Sequence, residues 1–177
     1  MKTISKYLKH ILLSLSFFAG TLSYAQQIGA VNADIRVKII APIAITKTAD
    51  MDFGNVAVSQ NTGGTVVMSP SGNRVPTGGV ILPTLSGNPA PASFTVVGEP
   101  NYSYVISLPA SATLSDGMGH TMTMRDFTST PATTGMLTSG SQNLTVGATL
   151  NVNAGQETGI YSTQNAGSNF DVTVNYY

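Results

Sequence analysis

Leu144-Thr145-Val146-Gly147-Ala148-Thr149-Leu150-Asn151-Val152 alternates without a break: an apolar side chain stands at every even position, and Thr, Gly, Thr and Asn stand between. A period of two means a strand with one face on a core and the other toward water. The pattern returns at Phe170, Val172, Val174 and Tyr176, with Asp171, Thr173 and Asn175 on the other face. It returns again at Tyr102, Tyr104, Ile106 and Leu108, where Pro109 ends it, and at Phe94 and Val96, stopped by Gly98 and Pro100. Weaker strand candidates cover residues 55–58, 65–69, 79–82, 120–127 and 159–163. Turn clusters separate them, among them Asn61-Thr62-Gly63-Gly64, Ser69-Pro70-Ser71-Gly72-Asn73 and Asp116-Gly117-Met118-Gly119. No stretch carries a period of 3.6. Short, half-buried strands at this spacing predict an all-β fold, an antiparallel immunoglobulin-like or pilin-like β-sandwich.

Composition narrows the function. A chain of 177 residues has room for one domain. Only 9% of residues are charged, against about 25% in an ordinary globular protein. The 42% hydrophobic content nevertheless excludes a disordered polyelectrolyte. Zero Cys removes disulfides, thiolate metal sites, a thiol nucleophile and a lipidated N-terminal cysteine. Eight Lys and Arg, balanced by eight Asp and Glu, give no electrostatic footprint for nucleic acid.

The charge is unevenly placed. Lys2, Lys6 and Lys9 precede an apolar run at residues 11–18, and Ser23-Tyr24-Ala25 puts small residues where a signal peptidase needs them. Residues 1–25 are therefore expected to be a signal peptide, and residues 26–177 a single β-sandwich domain. The apolar run is shorter than the roughly 20 residues of a membrane span, so no integral membrane segment is expected after cleavage. Loss of those lysines leaves Arg36, Lys38, Lys47, Arg74 and Arg125 against eight acids, a net charge of −3.

One alternation is too long for a simple strand. Val31, Ala33, Ile35, Val37, Ile39, Ala41, Ile43 and Ile45 are all apolar and all odd-numbered. Extended, these residues would reach about 50 Å, while strands usually hold about 5–6 residues. Pro42 cannot donate to a ladder. Two readings follow: a first strand that crosses between the sheets of a sandwich, or a detachable arm that completes another subunit's sheet. The second makes Val31, Ala33, Ile35, Val37 and Ile39 a subunit-contact strand.

Residues suited to chemistry are few. After cleavage His120 is the one histidine, and no Gly-x-Ser-x-Gly elbow presents a serine to it. It reads as a hydrogen-bonded turn residue. Asp50 and Asp52 are too few for a calcium loop and read as caps of the turn before Phe53-Gly54. Gly63-Gly64 and Gly78-Gly79 open no helix and carry no Lys-Ser/Thr, so they read as turns rather than phosphate cradles. No catalytic, cofactor-binding or metal-binding residue is expected, and no enzyme.

Asp50-Met51-Asp52-Phe53-Gly54, then Ser69-Pro70-Ser71-Gly72-Asn73-Arg74, resemble the opening half of a bacterial secreted family, domain of unknown function 4402. The resemblance continues through residues 92–100, 102–109 and Met122-Thr123-Met124-Arg125-Asp126-Phe127, and ends on residues 146–150 and 170–176. The loop at residues 162–169 is longer than is usual in the family. The resemblance implies a secreted sandwich of fimbrial-subunit type and no catalytic residues.

The expectation is thus an exported structural or adhesive surface protein, a fimbrial-type subunit assembling through its N-terminal strand. Its partners are then itself, other surface subunits and an assembly chaperone, and its place is the periplasm, cell surface or exterior. The alternative is a monomeric secreted module that binds carbohydrate or protein through loops 72–91 and 111–119.

Overall fold

The described residues, 29–177 of a computed structural model, hold twelve strands and no helix. In chain order they are β1 (Ala44–Ala49), β2 (Ala57–Val58), β3 (Gly64–Met68), β4 (Arg74–Gly78), β5 (Val80–Ile81) and β6 (Ala92–Val97). There follow β7 (Ser103–Ser107), β8 (Ser111–Ser115), β9 (Thr121–Thr130), β10 (Thr134–Met136), β11 (Ser141–Val152) and β12 (Thr173–Tyr176). The chain divides into two compact units, Met1–Lys38 and Ile39–Tyr177. The expected signal peptide, residues 1–25, lies outside the described residues.

The stretch around Leu150 forms β11, the spine of a seven-stranded sheet. One edge of β11 pairs with β9. The other edge is shared end to end, by β6 along residues 141–146 and by β3 along residues 148–152. Gly147 stands at the changeover, where a Cβ would overlap the Met68 carbonyl; the close approach of three backbones needs a residue without one. Strands β1, β4 and β8 extend the sheet from β6, β3 and β9. Across from Gly147–Thr149 the register of β9 shifts, and Asp126 adopts φ 53° there. Such a bulge bends and twists its strand, which lets this sheet curl strongly. A second sheet runs β10-β7-β12, and β2 with β5 makes a short ladder of its own. Every pairing is antiparallel, so the fold is the expected all-β antiparallel sandwich.

Two clusters of buried side chains result. The second sheet covers one, where Tyr104 and Ile106 of β7 meet Phe94, Val96, Leu144 and Val146. The other gathers Val66, Met68, Met124, Leu150 and Val152 with Phe53 and Val80, and no strand of the second sheet lies over it. Phe170 bridges the two, stacked on Phe127 at 5.5 Å and edge-on to Phe94 at 6.5 Å.

The long N-terminal alternation departs from the crossing-strand reading. Only its end, from Ala44, is a strand, and that strand pairs with β6 alone. The reason lies at Pro42 and its neighbour: Pro42 has no N–H, and the Ala41 N–H goes to the Glu99 carboxylate (3.1 Å) rather than to a ladder. Residues 159–163 form no strand; Ser162 makes a single bridge to Ser115. Conversely, Arg74–Gly78 is a strand despite Pro76, because β4 is an edge.

Candidate functional site

Because the second sheet stops short, residues 50–58 and 156–164 enclose the first cluster instead, and between them lies a cleft of about 950 Å³. Leu114, Met122, Met124, Leu150, Val152 and Phe170 line its depth. Val56, Val58, Leu114 and Met122 pack against the core yet stay half-buried. Apolar surface left in this state is a feature of interaction sites. Asp50, Asp52 and Glu157 give the lining its acidic character.

Local chemistry shapes both walls. The Asp52 Oδ1 accepts the Gly54 N–H at 2.6 Å, and Gly54 takes φ 63°, so the expected Asp-capped turn is formed. The Arg74 guanidinium fastens that turn by donating to the Phe53 carbonyl at 2.5 Å. Asp50 is ion-paired with Lys47. On the facing wall Gln156 Nε2 donates to the Tyr161 hydroxyl at 2.9 Å, and that hydroxyl donates to the Glu157 carbonyl at 2.9 Å. The loop is held by its own side chains.

His120 lies in the turn read from the sequence. Its Nδ1 is 2.6 Å from Asp116 Oδ2, and Asp116 Oδ1 accepts the backbone N–H groups of Met118 (2.7 Å) and His120 (3.1 Å). Burial opposes the Asp116 charge, but these bonds outweigh it and hold the carboxyl below the usual carboxylate range. Both carboxylate oxygens are engaged in closing the turn.

The five subunit-contact residues are all exposed and belong to no strand. Val31, Ile35, Val37 and Ile39 are 93, 97, 88 and 91% exposed. The cleft went unread in the sequence, because its walls come from irregular segments without periodicity. The one signal is the closely spaced Met122 and Met124: Met124 fills core and Met122 reaches the cleft.

The family model described as domain of unknown function DUF4402 matches residues 43–176. The chain belongs to that family. The DUF4402 match contains all twelve strands and the walls of the cleft, and the exposed residues 31–39 precede it. No curated protein and no solved structure matches the chain.

Proposed function

We propose that the protein is an exported, non-enzymatic structural or adhesive surface component, a fimbrial-type subunit that assembles by adding residues 31–39 to another copy. The observation carrying this reading is the row of exposed aliphatic side chains at Val31, Ile35, Val37 and Ile39. Burying one such side chain is worth about 1.5–3 kcal/mol, so four in one register make a strong reason to find a partner. Main-chain hydrogen bonds would supply the affinity of such an addition, and the alternate side chains its register. Head-to-tail addition yields filaments where the rotation between successive copies does not close a ring.

The basic n-region and Ser23-Tyr24-Ala25 support export to the periplasm, cell surface or exterior. An exposed apolar segment invites wrong pairing, which is the reason to expect an assembly chaperone as well. The cleft favours a second reading, a monomeric carbohydrate- or protein-binding module, since about 950 Å³ is at the upper end of the range for ligand sites.

Immunogold electron microscopy of producing cells, with mass spectrometry of the recovered chain, tests the proposal. Label along surface filaments and Gln26 as the first residue are expected. A cytoplasmic product that keeps Met1, or a free monomer in the medium, would count against it.

A further inference from the structure

We infer that the acceptor for residues 31–39 is the cleft over the first core cluster of a second copy. This rests on the assembly reading above and adds the place where assembly occurs. Three observations converge on it.

The first is an incomplete layer. The second sheet covers the cluster around Tyr104 and Leu144 but leaves the cluster around Leu150 to irregular chain, with Val56, Val58, Leu114 and Met122 half-buried. An added strand would complete the sandwich where it is thin.

The second is fit. Nine extended residues span about 30 Å, and Val31, Ala33, Ile35, Val37 and Ile39 all fall on one face. The cleft offers an apolar floor and a volume of about 950 Å³ for them. The outer edge of β12, one of the open strand edges, is already engaged at its end: Tyr176 Oη donates to the Ala41 carbonyl at 2.7 Å, and Ile43 packs on the same cluster as Val174.

The third is charge. The opposite face of residues 31–39 carries Asn32, Asp34, Arg36 and Lys38, a net charge of +1. Residues 39–177 hold Lys47, Arg74 and Arg125 against seven acids, a net charge of −4, and three of those acids, Asp50, Asp52 and Glu157, line the cleft. Arg36 is paired with Asp34 at 3.2 Å, both side chains more than four-fifths exposed. Such a pair holds its partners weakly and exchanges readily for a better one.

The absence of native cysteine allows a direct test. A chain carrying Ile35→Cys is mixed under mild oxidation with chains carrying Thr158→Cys on the cleft wall or Asn175→Cys on β12, both at exposed positions. A disulfide requires the two Cα atoms to approach within about 7 Å. The expected result is a cross-linked heterodimer with Thr158→Cys, at least several-fold above that with Asn175→Cys. Preferential cross-linking to Asn175→Cys, or equal yields at both, would overturn the cleft as acceptor while leaving self-addition standing. A monomeric disulfide in a chain carrying both Ile35→Cys and Thr158→Cys would overturn it in favour of the chain's own segment. No cross-link at either position, with every chain monomeric, would overturn the assembly reading and the acceptor together.

Discussion

The hydroxyl of Tyr176 donates to the Ala41 carbonyl at 2.7 Å and accepts the Glu99 N–H at 2.6 Å. One phenol at the end of β12 thus fastens both the approach to β1 and the turn between β6 and β7. Its ring also meets Tyr102 edge-on at 5.6 Å. Tyr176→Phe keeps the ring and removes both bonds, at a net cost of about 1–3 kcal/mol. A thermal melt should show a lower Tm with an unchanged far-UV spectrum; an identical Tm would mean that these bonds hold nothing.

Tyr104 is fully buried, and its hydroxyl donates to Gln142 Oε1 at 2.9 Å, which also accepts the Met136 N–H at 3.0 Å. This joins the two sheets through β7, β10 and β11. A Cβ on Gly135 would overlap the Tyr104 ring. Gly135→Ala should therefore cost about 1–3 kcal/mol through overpacking, and Tyr104→Phe about 1 kcal/mol. Denaturant titration checks both, and the order of the two distinguishes packing from hydrogen bonding.

Register at the C-terminus gives a paired comparison. Val172 packs against the core cluster, half-buried, while Thr173 is exposed. Val172→Asp sets a carboxylate against apolar neighbours, at about 1–3 kcal/mol. Thr173→Asp should stay within about 0.5 kcal/mol. Equal melting temperatures for the two variants would contradict the assigned face.

The strands were legible wherever one face is buried and the other wet, as at Leu144, Val146 and Leu150, and in part at the C-terminus, where Val174 and Tyr176 lie in β12 but Phe170 and Val172 precede it. Alternation failed where a strand is short or at an edge. β10 has three residues and β4 contains Pro76, and both are decided by neighbours far along the chain. It also over-read residues 31–43, since apolar alternation states that a strand could form and not that a partner is present within the same chain. The cleft was beyond sequence reading for a related reason. Its depth joins Leu114, Leu150 and Phe170, and only the fold brings them together.

Acid should loosen the turn at residues 116–120. With the Asp116 carboxyl held below its ordinary value in the folded chain, the stabilisation is fully present above the unfolded pKa near 3.9. It is lost as pH falls through the lower folded value. Asp116→Asn should remove this part of the pH dependence, seen as a shallower fall of Tm below about pH 4. An unaltered acid limb would contradict the assignment.

The central claim, assembly through residues 31–39, is tested most directly by sedimentation velocity. The chain without residues 1–25 is compared over a wide concentration range with the same chain also lacking residues 29–38. Concentration-dependent polymers are expected from the first. From the second a β-rich monomer is expected, because all twelve strands lie beyond the deletion. A first chain that stays monomeric at high concentration, or a shortened chain that polymerises equally, would contradict the account.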